Sequence, residues 1–223
     1  MLIIGSALLA LTLAANPPTE VTLDGEKVHV SFSDGDTFQV KSGKHSKARA
    51  RLEGYNALES YGPVHRWGEW TAKELYALSK AATEHARKGP WTCTTRGPKD
   101  RYGRILVYCE DLALSLIAAG LGHVFAVEAA PAPALIAAQK KAVAEKRGMW
   151  RKGAPTGVIT SLHSAAEEGE IYNRVASVAD GMARKRPHKE RYDTCSETCS
   201  EGSCMTYVPY ELRYGGRRAH CLR

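Results

Sequence analysis

Glu20-Val21-Thr22-Leu23-Asp24-Gly25-Glu26-Lys27-Val28-His29-Val30-Ser31-Phe32 is the stretch that decides the fold class. Val21 and Leu23, then Val28, Val30 and Phe32, fall on alternate positions, the period of a strand with one face in a core, and Asp24-Gly25 supplies the turn between them. Working outward, Thr37-Phe38-Gln39-Val40 continues as a strand, Ser42-Gly43-Lys44 turns the chain, and Ala48 to Leu52 is a further strand carrying Arg49 and Arg51. Tyr61-Gly62-Pro63 opens a loop. A helix is expected from about Glu69, with Trp70, Leu75, Leu78 and Ala82 on or beside one face, and Lys88-Gly89-Pro90 stops it. Strands at 91–95 and 105–109 flank a connection through Gly97-Pro98-Lys99-Asp100. A helix over Leu112 to Ala119 ends at Gly120. Pro131 and Pro133 open a last helix running to about Arg147, with Gly148 as its stop. Short strands closed by turns, with helices beside them, give an α+β chain that is mainly a β-barrel of the oligonucleotide-binding (OB) type with about three helices.

The 223 residues, 43% of them hydrophobic, suffice for one domain and an extension. A net charge of +7 and a pI near 9.1 favour polyanionic partners. Met1 to Ala15 is almost wholly apolar, too short for a membrane span, and runs into Asn16-Pro17-Pro18 through small residues. It is expected to be a signal peptide cleaved after Ala14 or Ala15, or, lacking a basic leading region, an anchor. Cleavage predicts an exported protein, secreted or periplasmic, with no stable membrane association. Residues 16–155 then form the barrel domain. Residues 156–223 differ in texture, with few long apolar runs, the basic stretch Arg184-Lys185-Arg186, and a hairpin expected around Ala179-Asp180-Gly181. They read as a disulfide-tied C-terminal extension packed on the barrel.

Six cysteines after a signal-like start point to disulfides. A zinc site helped by His188 and His220 is the alternative, but the spacings lack a paired CxxC pattern. Cys93 and Cys109 sit on the strands flanking the loop that carries Arg104, and are expected to pair. Cys195 and Cys199 share a face if that stretch is helical, from which they would pair with Cys204 and Cys221; three connectivities stay open.

Three segments concentrate the chemistry: Asp34-Gly35-Asp36-Thr37, Arg51-Leu52-Glu53-Gly54-Tyr55-Asn56-Ala57-Leu58-Glu59, and Arg101-Tyr102-Gly103-Arg104. Together they hold carboxyl oxygens for a hard cation, a carboxylate to activate water, and arginines to take up phosphate charge. That is a minimal kit for metal-assisted phosphodiester hydrolysis. Each piece also has an ordinary reading. Asp34-Gly35 is an everyday turn, Arg49 a solvated strand-end arginine, Tyr102 a half-buried barrel aromatic, His65 a structural or surface histidine, and Trp67 and Trp70 helix-packing aromatics.

The three segments in this order, followed by Leu116-Ile117-Ala118-Ala119-Gly120-Leu121 and Glu145-Lys146-Arg147-Gly148-Met149-Trp150, resemble the staphylococcal nuclease (thermonuclease) family over about residues 20–150. The resemblance implies a five-stranded OB-type barrel. It implies Ca²⁺ as the cofactor, held by Asp36, the Asn56 amide and the backbone carbonyl of Ala57, with Asp34 behind them. Arg51 and Arg104 would stabilise charge on the phosphate, Glu59 would be the candidate general base, and Tyr102 and Arg101 would meet substrate. The expected function is a Ca²⁺-dependent endonuclease, a monomer, cleaving single-stranded or frayed DNA and RNA with little sequence preference to leave 3′-phosphate ends. Two departures stand out. Asn56 occupies the place of a metal-binding aspartate, so one charge is missing, and Phe125-Ala126-Val127-Glu128 lacks the family's base-stacking tyrosines. The first motivates an alternative: a nucleic-acid-binding barrel with weak or lost cleavage.

Overall fold

In the computed structural model, residues 18–163, 165, 169–189, 192–213 and 215–223 are described. The expected signal segment Met1 to Ala15 lies outside them. Among the described residues no helix is long and apolar enough to cross a membrane.

Six strands close the barrel, in the order β1 (Thr19–Leu23), β2 (Glu26–Phe32), β3 (Thr37–Val40), β4 (Arg49–Leu52), β8 (Ile105–Tyr108) and β7 (Trp91–Arg96). The alternation seen in the sequence is the cause: β2 buries Val28, Val30 and Phe32 and exposes the residues between. The implied count of five is corrected to six. β1 is a strand in its own right, pairing antiparallel with β2 and parallel with β7, and so closes the barrel. β4 and β8 also run parallel, with Arg51 opposite Leu106.

The helices are α1 (Ala72–Ala86), α2 (Glu110–Ala118) and α3 (Pro133–Ala144). The first begins three residues later than expected because Thr71 and Glu74 form a capping box, which leaves Glu69 and Trp70 outside the helix. Pro133 opens α3 from its first turn.

Several strands were not expected. β5 (Gly54–Ala57) pairs with β9 (Gly122–Phe125) in a two-stranded sheet. β6 (Val64–Trp67) falls in the stretch read as a loop. Its partner belongs to the extension, where β14 (Ser203–Thr206) lies antiparallel to it, Met205 opposite His65. The extension also contains the meander β10 (Gly157–His163), β11 (Tyr172–Ser177) and β12 (Ala183–Pro187), and the strand β13 (Glu197–Ser200), which pairs with β14. The expected turn at 179–181 joins β11 to β12.

Cys93 is bonded to Cys109. The other pairs are Cys195–Cys221 and Cys199–Cys204. The helix supposed to align Cys195 with Cys199 is absent. Cys199 and Cys204 face each other across the β13–β14 ladder, so the bond between them is local, while Cys195, in the preceding turn, reaches the chain's end. His188 bonds the carbonyls of His163 and Lys189 instead of gathering with cysteines.

The barrel and its helices share one apolar cluster running from Val21 to Leu135. A second cluster joins Leu58, Trp67, Trp70, Leu75, Met149 and Trp150 to Val158 of the extension. Buried Gln139 of α3 adds a polar bolt. Its Oε1 accepts the Val124 N–H at 2.7 Å, and its Nε2 donates to the Val178 carbonyl at 2.6 Å.

Candidate active site

The site begins where β3 leaves its hairpin. Ladder pairing puts Thr37 opposite Arg51, and the Leu52 N–H donates to the Asp36 carbonyl at 2.9 Å, so Asp36 is locked beside β4. A Cβ on Gly35 would lie 2.7 Å from the Ala57 Cβ and 3.0 Å from the Ala82 Cβ. The glycine of Asp-Gly-Asp is therefore required by close approach to β5 and α1, not by an everyday turn. The Tyr55 hydroxyl donates to the Gly35 carbonyl at 2.7 Å and pins the same loop.

Gly54 brings the second half in. With φ at +88°, a region that L side chains rarely adopt, it bends the chain out of the barrel after β4 and sends β5 across the site. A Cβ there would also crowd Tyr108 and Leu135, at 3.0 and 3.1 Å.

Asp36, only 4% exposed, uses both carboxylate oxygens: Oδ1 accepts from Arg51 Nη1, and Oδ2 accepts the Ala57 N–H at 2.8 Å. Asp34 Oδ1 accepts the Asp36 N–H at 3.1 Å. Ala57 thus reaches the cluster through its N–H. Asn56 is buried, and its Oδ1 has no hydrogen-bond partner among the described residues. A buried amide oxygen left without a partner is costly and points to a donor or cation from outside the chain. The carboxylate of Glu59 accepts the Gly62 N–H.

These acids share one field. Burial, then the charges of Asp36 and Glu59, hold the Asp34 carboxyl well above the usual carboxylate range. Burial and Asp36 push Glu59 up to about 7, against Arg51, the Gly62 amide and Arg213, which pull it down. Burial opposes the Arg51 charge, but Asp36, Glu59 and Asp34 outweigh it and raise its pKa. Asp34, Asp36, Arg51 and Glu59 are therefore brought together.

Among the described residues, ligand atoms of three or more histidine, cysteine or acidic side chains come within 4.8 Å of one another only at Glu197, Cys199 and Cys204, where the two sulfurs are already bonded together. The oxygens of Asp34, Asp36 and Glu59 do not all come that close together.

Arg104 stands apart from this cluster in its hydrogen bonding. Its Nε donates to Asp100 Oδ2 at 2.7 Å, and its N–H to Asp100 Oδ1 at 2.9 Å. Strand alternation still sets it on the outer face of β8, the face from which Arg51 projects on neighbouring β4, since Ala50, Leu52, Ile105 and Val107 all point inward. Asp100, read in the sequence only as part of a connection, is the residue that aims Arg104. Tyr102 is 60% exposed and not half-buried; Arg101 donates to its hydroxyl at 2.5 Å. An open cleft beside it is lined by Lys44, Lys47, Arg49, Lys99 and Tyr102. Arg49 is thus an exposed arginine on a basic surface.

His65 is a structural histidine and not a surface one. It is buried in β6, and among the described residues both its ring nitrogens lack partners, as does Nε2 of buried His123. Burial, and then the neighbouring His123, push His65 down to about 3; burial pushes His123 down to about 4. Trp67 and Trp70 are core residues, stacked on Trp150 and bonded to the Met149 carbonyl, respectively.

Sequence reasoning missed Tyr55, Asp100 and Arg213. Tyr55 lies inside a motif and Asp100 directly before one, and both were open to discovery as hydrogen-bonding groups next to loops. Arg213 carries no local signal.

Residues 49–152 match the family described as staphylococcal nuclease homologue. No curated protein matches the chain.

Proposed function

From a staphylococcal nuclease homologue domain over residues 49–152, a nuclease-type family acting on nucleic acid, we propose a Ca²⁺-dependent endonuclease that hydrolyses DNA and RNA to 3′-phosphate ends. The observation that carries this is the buried cluster of Asp34, Asp36 and Glu59 around Arg51, with buried Asn56 standing next in the chain to Ala57, whose N–H binds Asp36. The donors fit a hard cation: all are oxygens, their charges are only partly offset, and one buried amide oxygen lacks a partner. Asp36 and Asn56 would hold the ion, with Asp34 behind them and Ala57 alongside. When bound, the ion offsets phosphate charge and polarises the phosphoryl group.

The chain's own residues do the rest. Glu59, held near neutrality by burial, takes a proton from the attacking water. The water oxygen bonds to phosphorus as the bond to the 5′-oxygen breaks, and that oxygen takes up a proton from solvent. Arg51 and Arg104 offer planar forks to the phosphate oxygens as charge builds. Arg51 is preset by Asp36 and Arg104 by Asp100, so little ordering is left to the transition state. Tyr102, Arg101 and the basic cleft hold the polyanion by its backbone, which favours little sequence preference and binding that weakens steeply with salt. Three disulfides support an exported protein.

The deciding experiment is cleavage of single-stranded DNA by purified, folded protein with its disulfides intact, in millimolar Ca²⁺ and then in excess chelator. Cleavage lost on chelation is the expected result. No cleavage with any of several divalent ions would leave a nucleic-acid-binding barrel instead.

A further inference from the structure

The extension returns to the site. β14 is zipped to β6, which begins five residues after Glu59. Beyond β14 the chain passes buried Val208 and a short 3₁₀ turn, Tyr210–Leu212, and delivers Arg213 to the interior, where it is 3% exposed. Nη1 of Arg213 donates to the Ser60 carbonyl at 3.2 Å; Nε and Nη2 donate to the Val208 carbonyl at 2.9 and 2.8 Å. Ser60 is itself fully buried, and its hydroxyl donates to Ser79 of α1 at 3.2 Å. The segment Glu59–Gly62 is therefore fixed at three points: by an α1 hydroxyl, by the Gly62 N–H on the Glu59 carboxylate, and by a guanidinium from the other end of the chain.

Burying a guanidinium is expensive unless an anion stands nearby. Tying a tail to two carbonyls needs only a neutral donor such as an amide. Beyond these two carbonyls, the Arg213 charge is the smallest of the influences on Glu59, pulling its pKa down against burial, and the Ser60 carbonyl that Arg213 holds is the next residue along the chain from that acid. The tail is also built to hold Arg213 in place. The Ala219 N–H donates to the Leu212 carbonyl at 2.8 Å, Leu222 packs with Val64 and Ala72, and Cys221 is bonded to Cys195.

We propose that Arg213 is a positioning residue for Glu59, carried into the nuclease site by the C-terminal extension, which is thereby part of the enzyme. This rests on Glu59 activating the water. Arg213 touches neither substrate nor the reacting atoms; it acts by fixing the segment that bears the base and by offsetting its charge.

Four proteins test it in single turnover on a single-stranded oligonucleotide with Ca²⁺: wild type, Arg213→Gln, Glu59→Gln and the double variant. Arg213→Lys is the conservative control. Losing a buried charged hydrogen-bonding group should lower kcat about 10- to 100-fold in Arg213→Gln, with KM within about twofold. Arg213→Lys should recover part of that loss. In the Glu59→Gln background the same change should cost less than about twofold, since residues acting through one group are not additive. A loss of equal size in both backgrounds, an unchanged kcat, or a lysine variant no better than glutamine overturns the proposal. Should Arg213→Gln melt below the assay temperature, Arg213→Lys with and without Glu59→Gln runs the same cycle. Amide hydrogen exchange is the arm that needs no turnover. The Ser60, Tyr61 and Gly62 amides should exchange at least about tenfold faster in the Arg213 variants, while the barrel strands keep their protection. If wild type does not cleave, the nuclease function falls, and unchanged exchange at these amides would separately overturn the role of Arg213.

Discussion

The barrel and the extension are held together by different means. The barrel closes around a single large cluster, Val21 to Leu135, to which six strands and the helices contribute. The extension has one small cluster largely its own, Ile159, Val175 and Met205, and otherwise shares apolar residues with the barrel: Val158 lies among Trp67, Trp70 and Trp150, and Val208, Ala219 and Leu222 lie on Val64 and Ala72. It compensates with two of the three disulfides and with ion pairs such as Arg66–Glu197, made through two hydrogen bonds of 2.5 Å. A region with so little interior of its own takes its shape from the surface it lies on. The difference teaches where to look for function: the proposed reacting groups stand on the barrel, and the extension, sharing most of its apolar residues with the barrel, packs against them as the proposed brace.

The largest effect should fall on the barrel side. Arg51→Ala is expected to reduce kcat by about 10³-fold, the scale of losing a preset transition-state donor, while circular dichroism shows the fold intact. Arg49→Ala, removing an exposed arginine two residues away, should leave kcat nearly unchanged and raise KM modestly. Equal losses for the two would move the site off this face of β4.

Next come the disulfides, one in each region. Chain entropy assigns about 3 kcal/mol to the barrel's Cys93–Cys109 pair and about 3.5 kcal/mol to Cys195–Cys221, whose separations are 16 and 26 residues. Double serine variants should therefore lose similar stability in urea titrations. Their activity at a temperature where both stay folded should differ. Opening Cys195–Cys221 loosens the tail that carries Arg213 and should lower kcat, whereas opening Cys93–Cys109 should alter the Arg104 hairpin and show up with substrate binding as well. If the Cys195/Cys221 variant keeps full kcat, the brace is dispensable.

What could be read from the sequence follows the same division. The barrel strands bury one face against one another, so alternation at Val21, Leu23, Val28, Val30 and Phe32 wrote them plainly. β6 was invisible because Val64-His65-Arg66-Trp67 buries three of its four residues, with no alternation, and its ladder partner stands near the chain's other end. In the site, Asp36, Arg51 and Glu59 were legible because local strand geometry fixes motif spacing. Arg213 was not, since one arginine among many acquires meaning only from the point to which the chain returns. The helix supposed to align Cys195 and Cys199 failed for a related reason: four-residue spacing suits a helix face, but pairing with β14 gives Cys199 a better partner directly across the ladder.

The seam between the regions holds His65 and His123, and acid should open it. Both are buried neutral, with pKa values near 3 and near 4, so below their ordinary value of about 6.5 the unfolded chain binds more protons than the folded one. Each then costs up to about 1.4 kcal/mol of stability for every pH unit lowered from about 6.5 toward 4. Asp34 and Glu59 run the other way: their pKa values are raised in the fold, so their contribution is lost as pH rises from about 4 to neutrality or above. Between these limits the two pairs nearly cancel in the metal-free protein. His65→Leu removes one acid-sensitive member. Its stability relative to wild type should improve steadily as pH falls from 6.5 to 4.5, by about 2 to 3 kcal/mol in total, read from urea midpoints. A parallel pH dependence in the two proteins would show that His65 is solvated.

The smallest effect probes how the two regions share one charge balance. Asn56 leaves the barrel side one negative charge short, and Arg213 adds a positive charge from the extension. On the proposed Ca²⁺ reading, both features make the pocket less hungry for a cation. Asn56→Asp should lower the Ca²⁺ midpoint for cleavage about tenfold by restoring a charged ligand. Without Ca²⁺ it should destabilise the fold, because a further carboxylate joins Asp34, Asp36 and Glu59. That metal-free penalty should grow when Arg213→Gln is added, since the guanidinium then no longer offsets the crowded acids. Strict additivity of the two substitutions, measured by urea unfolding in chelator, would mean that the extension braces Glu59 mechanically and contributes nothing to the field at position 56.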